Sequence, residues 1–271
     1  MSSRMKRALA VAALLIALPC YAEETVDLPM MARIRDEGLQ RSQAMETLYH
    51  LTHIIGPRLT GSPQLKAANQ WTRDRFAGWG VANPHLEAYP FGRGWSFSSC
   101  QVRLVSPYTA VLTALPKAWI PGTNGPLRGQ AMRVKIDSPK DLDAYRGKVA
   151  GKIVLLSGPR ELKEPKEPEY QRLSQDDLAK LSGPEEPGEA PDWRADTRAR
   201  WKLRQAINDF LVQEKALATF SIGSRNNDIV GATNGGSWQP GDKLGVPALV
   251  MASEPYNDIL RMLDHGQTVE L

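Results

Sequence analysis

The hydrophobic pattern of this chain changes near residue 85, and that change limits its possible folds more than any other feature. Between residues 31 and 80, apolar side chains recur at helical spacing, which predicts one or two helices over 31–55 and another over 62–80. Beyond residue 85 the apolar residues come in short alternating runs, which are typical of strands. Helices followed by strands with occasional helices predict an α/β fold that is α+β in part.

The second part of the pattern predicts several short elements separated by glycine and proline. Proline, glycine and threonine over residues 107–126 favour an extended loop there. Further helices are predicted over residues 141–147, 201–215 and 256–263. Strands are predicted over residues 85–91, 97–105, 130–136, 152–156, 216–222, 228–232 and 246–251.

Residues 1–22 have the form of a secretory signal. Three basic residues precede an apolar run over residues 8–19, and cleavage is predicted after Ala22. Removing this segment lowers the formal charge from +4 to +1, so the charge gives no support for a nucleic-acid partner. The sequence therefore predicts an exported protein, periplasmic or extracellular.

The apolar run before Ala22 is too short to span a bilayer comfortably, and no later stretch approaches the needed length. A lipoprotein signal at Cys20 is disfavoured, because Pro19 stands where such signals carry a small residue. Cleavage after Ala22 leaves Cys100 as the only cysteine. An internal disulfide is then excluded, and the stability of the fold must come from packing.

An acidic, proline-rich segment over residues 160–196 interrupts the strand pattern. It holds eleven acidic side chains, six basic ones and five prolines. This composition predicts a solvated insertion loop. The alternative is an acidic arm that docks a cationic partner.

The residues by themselves identify no catalytic, cofactor-binding or metal-ligating side chain, since the common catalytic signatures are absent. His50 and His53 could face one metal ion from a helix, and His85 with Glu87 could do so from one face of a strand. Each pair lacks a clear third ligand, and an ordinary polar surface explains both pairs equally well. Cys100 is interpreted as a small core residue rather than a nucleophile.

Several segments together carry a resemblance to a known family. The first is residues 55–63, Ile-Gly-Pro-Arg-Leu-Thr-Gly-Ser-Pro, followed by Ala67, Ala68 and Trp71. The others are Glu87 and residues 91–95, 121–125, 145–148, 151–155, 246–250 and 254–256. In this order, over nearly the whole mature chain, they resemble exported bacterial zinc exopeptidases of metallopeptidase family twenty-eight, which includes plasma glutamate carboxypeptidase-like enzymes.

The resemblance implies an α/β peptidase domain into which a protease-associated domain of strands and helices is inserted. It assigns residues 23–126 to the first part of the peptidase domain and 127–254 to the protease-associated domain. Residues 255–271 are then the start of the return to the peptidase domain. The expected fold is an incomplete zinc-exopeptidase domain interrupted by a β-rich domain.

The resemblance also implies peptide hydrolysis assisted by two zinc ions, with a glutamate as general base. The ligands in the family are a His-x-Asp pair, an Asp-Asn stretch and a Glu-Glu pair, and residues 1–271 contain none of these motifs. Glu185 and Glu186 lie in the acidic loop without the surrounding motif. A substrate contact by Arg58 or Thr60 is a minor alternative. The sequence therefore predicts no catalytic, cofactor-binding or metal-ligating residue in this chain.

A last alternation over residues 267–271 predicts either a short edge strand or a fold cut before its end.

The main hypothesis is that this chain is the amino-terminal portion of a zinc exopeptidase. It would be inactive alone and would act on peptides once the missing region completes it. In that case residues 23–126 should be loosely packed. One alternative is a non-catalytic protease-associated module that binds peptides or proteins, and another is a distinct hydrolase using His50 and His53.

Overall fold

The structure is a computed structural model that divides into two compact units, Met1–Gly56 and Pro57–Leu271. The predicted signal over residues 1–22 lies outside the described residues, as does part of the predicted loop over 160–196. The described residues are 26–162, 166, 168, 170–183, 193–225 and 227–271.

The first unit is helical in its described part. Helix α1 is Leu28–Leu39, α2 is Ala44–Tyr49, and the chain continues directly into a π-helix, His50–Ile55. The range predicted as one or two helices over 31–55 is interrupted after Leu39, where α1 ends. None of these helices contains a buried residue.

The second unit begins with helix α3, Pro63–Gly78, close to the predicted range. The Ser62 hydroxyl accepts the backbone N–H of Leu65 at 3.1 Å, and proline occupies the first turn, where its missing N–H costs nothing. Ala68 is the one buried residue of this helix.

Seven short strands follow in the part of the chain that the structure describes, and they form both parallel and antiparallel pairs. They are β1 Val102–Leu104, β2 Ala110–Leu112, β3 Ala114–Pro116, β4 Gln130–Arg133, β5 Lys152–Leu155, β6 Ala218–Ile222 and β7 Ala248–Met251. Strands β1 and β2 form an antiparallel pair, and the others form a sheet in the order β3-β7-β6-β5-β4. Strands β4 to β7 are parallel, whereas β3 runs antiparallel to β7.

Helices cover both faces of the five-stranded sheet: a 3₁₀-helix Pro139–Tyr145 and α5 Trp193–Gln213 on one face, and α6 Ser253–Asp264 on the other. A further helix, α4 Gln175–Ser182, contains no buried residue. Strand β5 shows the two faces clearly: Ile153 and Leu155 pack in the core cluster of α6, and Val154 packs in the cluster of α5. Strands buried on both faces read as continuous apolar runs, as here. The predicted α/β fold class is confirmed.

Two polar side chains of α6 fix this helix to the segment that follows β5. The Tyr256 hydroxyl accepts the Ser157 N–H at 2.9 Å and donates to the Ser157 carbonyl at 3.2 Å, and burial raises the pKa of Tyr256 to about 12. The Asn257 amide bonds both the N–H and the carbonyl of Arg160, at 3.0 and 2.7 Å. These bonds satisfy polar groups that are buried between helix and sheet.

The alternation predicted over residues 267–271 is paired on both sides in the structure. Leu271 exchanges two backbone hydrogen bonds with Gly129 beside β4, and the Glu270 carbonyl accepts the N–H of Val105 at 2.7 Å. This segment therefore joins the β1–β2 pair to the five-stranded sheet. Strands β2 and β3 are separated only by Thr113, so the two sheets also share one extended segment. The expectation of an edge strand is wrong.

Two predicted strands are absent, and a third is shortened to β1. Residues 85–91 form no strand, and just after them Gly92 has φ 126° and the Arg93 N–H bonds the Trp238 carbonyl. Residues 228–232 are irregular because Asn227 and Asp228 both have positive φ. The pattern predicted extended backbone but not its pairing.

The acidic segment over residues 160–196 is not a loop throughout. Helix α4 lies inside it, with a capping box in which the Ser174 hydroxyl and the Asp177 carboxylate satisfy each other's backbone N–H. Helix α5 also begins eight residues before the predicted start at 201. The domain boundary predicted after residue 126 remains a prediction. Strand β3, which precedes this boundary, pairs with β7, which follows it, in the same sheet.

No helix within the described ranges is both long and apolar enough to cross a membrane.

Candidate functional site

The segments that carry the family resemblance meet in the second unit at two glycines. A Cβ atom added to Gly94 would lie 2.1 Å from the Gly61 carbonyl oxygen, and one added to Gly61 would lie 2.9 Å from the Gly94 Cα. Gly61 also has φ 78°, which favours glycine. Only residues without side chains allow this backbone approach, so the glycines of both segments have a defined packing role.

Arg93, between Gly92 and Gly94, ties this contact to a distant loop. Its guanidinium donates to the backbone carbonyls of Gln239, at 2.9 Å, and of Asp242. Its N–H donates to the Trp238 carbonyl at 2.8 Å. Arg93 thus bonds backbone oxygens, and its role in this structure is to hold the loop rather than to bind a substrate.

An aromatic cluster, defined here as Phe91, Trp119 and Trp238, packs beside Arg93. The ring centroids lie 5.5 to 6.3 Å apart, and Phe91 stacks on Trp238 at an interplanar angle of 9°. Trp119 has φ 58° and donates its indole N–H to the Arg93 carbonyl at 2.9 Å. A Cβ atom on Gly236 would lie 1.8 Å from the Trp119 carbonyl oxygen. The cluster contains no titratable group and can contribute shape but no proton transfer.

His50 and His53 lie in the π-helix of the first unit rather than on an α-helical face. The ring of His53 stacks on Tyr49 with centroids 5.1 Å apart, and its Nδ1 lies 2.8 Å from the Thr52 hydroxyl. The structure therefore gives His53 aromatic and hydrogen-bonding contacts, which supports the ordinary polar role.

His85 and Glu87 do meet, but not on a strand. The His85 Nε2 lies 3.2 Å from a Glu87 carboxylate oxygen, and its Nδ1 lies 2.9 Å from the Asn83 carbonyl. These two acceptors, the carbonyl first and the carboxylate second, raise the pKa of His85. Both side chains are exposed, so the pair has the setting of a surface ion pair.

Cys100 is half-buried and packs against the core cluster that contains β1 and α6. Its Sγ lies 3.8 Å from the Ala114 carbonyl. Burial raises the pKa of the thiol, which disfavours the reactive thiolate. This placement agrees with the predicted core role.

The other residues considered from sequence do not converge with these. Arg58 is exposed and Thr60 half-buried at the turn before α3. Glu185 and Glu186 lie outside the described residues. Across the described ranges, no group of three His, Cys, Asp or Glu side chains is placed to hold a metal ion. The residues that the structure describes therefore do not fit a two-zinc centre.

A carboxylate-lined groove that no sequence motif predicts lies between α6 and the β1–β2 pair. A cavity of about 230 Å³ is lined by Asp228, Glu254 and Asp258, over an apolar floor that includes Ile259. Glu254 Oε1 accepts the Asn227 N–H at 2.7 Å, while Asp228 accepts the Thr113 hydroxyl and Asp258 pairs with Arg261. Each carboxylate thus has one partner, but Oε2 of Glu254 is buried and has no hydrogen-bond partner among the described residues. Asp228 and Glu254 lie on separate elements, so no local motif signals the groove.

No family model matches this chain, and no curated protein matches it. Solved structures that are similar include a peptidase M28 precursor from Shewanella amazonensis SB2B, at 19% identity over 89% of this chain and 48% of that one, with TM-score 0.48. An aminopeptidase from Aneurinibacillus sp. strain AM-1 is 15% identical over 87% of this chain and 44% of that one, with TM-score 0.43. A zinc aminopeptidase from Bacillus subtilis is 14% identical over 84% of this chain and 42% of that one, with TM-score 0.44. The chain spans less than half the length of each. At TM-scores under 0.5, this likeness identifies neither the family nor the activity of the chain.

Proposed function

We propose that this chain is the amino-terminal portion of an exported zinc-dependent exopeptidase and does not hydrolyse peptides by itself. The observation that supports this most is the contact between segments of the family resemblance. Residues 91–95 pack on Gly61 through Gly94, and Trp95 donates its indole N–H to the carbonyl of Ile120, beside the 121–125 loop. Segments chosen only for their resemblance are thus neighbours in space.

The proposal assigns residues 127–254 to an inserted protease-associated domain. Strands β4 to β7 all lie in this range and make up the parallel part of the sheet.

The proposal also assigns residues 1–22 to an export signal. Amino-terminal sequencing of the exported product should then start at Glu23, and a product that retains residue 1 would contradict this part.

Peptide hydrolysis and metal content test the activity directly. The purified chain, supplied with zinc, should release no amino-terminal residues from short peptides and should retain no stoichiometric zinc after dialysis. The reason is that the described residues hold no group of three metal ligands. Release of amino-terminal residues that depends on zinc would refute the proposal. Extending the chain with the coding sequence that follows codon 271, if it encodes a His-x-Asp motif, should restore hydrolysis.

A non-catalytic binding module is the second candidate, and one observation favours it. The segment over residues 267–271 pairs with both Gly129 and Val105, so this segment leaves no open strand edge of the kind that invites association. Saturable binding of short peptides by the purified chain, without cleavage and without zinc, would support this candidate. Absence of such binding, together with hydrolysis by the extended chain, would favour the exopeptidase portion.

A further inference from the structure

The carboxylate-lined groove combines apolar walls with charged side chains of one sign. Leu104 and Ala110, which lie directly opposite each other in the β1–β2 pair, line it from one side, and Ile259 and Met262 of α6 line it from the other. Its charged side chains are Asp228, Glu254 and Asp258. No lysine, arginine or histidine that the structure describes lines this cavity. A groove of this kind matches a ligand that has an apolar stem and a positive end.

Two hydrogen bonds hold the carboxylates in the groove. Glu254 Oε1 accepts the N–H of Asn227 at 2.7 Å, which joins the first turn of α6 to the loop that follows β6. The next residue of that loop, Asp228, accepts the hydroxyl of Thr113 at 2.5 Å, between β2 and β3. Three segments that are distant in sequence are therefore joined through these two carboxylates. A site that is fixed in this way loses little conformational freedom when a ligand binds.

Two of the three carboxylates have no cation beside them. Asp258 pairs with Arg261, but neither Asp228 nor Glu254 forms an ion pair with any residue that the structure describes. The buried Oε2 of Glu254 also lacks a hydrogen-bond partner within the described ranges. An unpartnered buried oxygen and two like charges in one cavity are both unfavourable, and a bound cation that donates hydrogen bonds would reduce both costs.

A second cavity, of about 630 Å³, continues the groove along α6. The two cavities share Tyr108, Asp258 and Met262. The residues that line only the second one are Pro107, Arg261, His265 and Gln267. A small free amine would fill the first cavity alone. A peptide can place a basic side chain in the first cavity and lay its main chain, with its donors and acceptors, along the polar side chains of the second.

We propose that this groove binds a peptide segment through one lysine or arginine side chain. The stem of that side chain lies against Leu104 and Ile259, and its cationic end donates to Asp228 and Glu254. Across the described ranges, no three side chains are placed to hold a metal ion, so an organic cation fits this groove better. The proposal goes beyond the exopeptidase portion, because such binding requires neither zinc nor hydrolysis.

Two peptides that differ only in charge test the recognition of the basic side chain. The full chain is titrated into a short fluorescent peptide with one central lysine and with both ends capped, and binding is followed by fluorescence anisotropy. The matched peptide carries norleucine, which keeps the apolar stem and removes the ammonium. We expect the norleucine peptide to bind at least about tenfold more weakly, because a charge-assisted hydrogen bond is lost. Butylamine should displace the lysine peptide poorly, since it cannot occupy the second cavity.

Three variants of the chain locate the binding in this groove. Asp228→Asn and Glu254→Gln remove a charge and keep an oxygen that can accept the bond from Thr113 or Asn227. Each should weaken binding of the lysine peptide by about tenfold. Asp264→Asn is the matched control, because Asp264 lies on α6 but lines neither cavity. It should leave the affinity unchanged, and circular dichroism checks that all three variants keep their fold.

Four results would overturn the proposal. They are absence of binding by the lysine peptide, equal binding of the norleucine peptide, unchanged affinity in both Asp228→Asn and Glu254→Gln, and equal affinity for butylamine and the lysine peptide. Peptide binding that persists in these two variants would place the contact elsewhere and leave the binding-module candidate standing. The exopeptidase portion is tested by hydrolysis and zinc content, so its failure is distinguishable from the failure of this site.

Discussion

Helices α1 and α6 each have twelve residues and an amphipathic pattern, yet they differ completely in burial. In α1 the side chains of Met31 and Ile34 are 47% and 58% exposed, and no residue of the helix is buried. In α6 the side chains of Ile259 and Leu260 are each 1% exposed. The difference lies in the sheet, because α6 packs against strands and α1 belongs to a unit whose described part has none.

The comparison shows that periodicity predicts a helix but not the surface that covers it. Helical spacing was as clear for the first unit as for α3 and α6, and all three regions are helical. Burial depends on a partner surface, and most of the stability of a helix in a protein comes from such packing. We therefore expect substitutions in the first unit to have small effects and matched substitutions in the second unit to have large ones.

The largest difference is expected between Leu155→Ala and Ile34→Ala. Leu155 is fully buried on β5, an interior strand of the sheet, so its truncation should lower the free energy of unfolding by about 3–4 kcal/mol through lost transfer energy and a cavity. Ile34 is exposed, so its truncation should cost less than about 0.5 kcal/mol. Urea unfolding of both variants measures this. Equal losses would mean that α1 is buried in solution.

Glycine substitutions should change stability in opposite directions in the two units. Gly94→Ala would place a methyl group against the backbone of Gly61, and the forced shift should cost about 1–3 kcal/mol. Gly38→Ala lies in α1 with open space around the new methyl group, and should raise helix stability by up to about 1 kcal/mol. Thermal unfolding followed by circular dichroism compares them. A destabilising Gly38→Ala would contradict the open setting of α1.

Removing a buried charge should stabilise the second unit in a pH-dependent way. Lys117 has an ordinary pKa of 10.5, and burial followed by Arg204 lowers it to about 8. Between these values the unfolded chain binds more protons than the folded one, so stability should rise with pH through that window. Lys117→Met should therefore stabilise the protein at pH 7 by about 1–3 kcal/mol, and the gain should vanish above pH 10.5.

Arg33→Met provides the matched change in the first unit. Its side chain is exposed, so the substitution should alter stability by less than about 0.5 kcal/mol. Urea titrations of both variants at several pH values give the comparison. A gain for Lys117→Met that does not change with pH would contradict the assigned cause.

The sequence was sufficient where local signals and burial agree. Ser62 and Pro63 are typical of a helix start, and α3 begins there. The strand predicted over residues 152–156 is β5, which is buried on both faces. The α/β class followed from such elements.

The sequence was insufficient where contacts between distant residues decide the conformation. Residues 85–91 alternate like a strand, but Gly92 and Arg93 turn the chain toward the loop at Trp238, and no local rule predicts that partner. Asp228 and Glu254 come together for the same reason, which is why the carboxylate-lined groove was not predicted.

Hydrogen exchange along the full chain tests most directly whether the second unit holds the stable core and the first does not. We expect amides of residues 28–55 to exchange rapidly, and those of β5, β6 and β7 to exchange only with global unfolding, because these strands are buried between two helical layers. Protection of residues 28–55 equal to that of β5 would contradict the account. Fast exchange in 28–55 together with slow exchange in the three strands is the result it predicts.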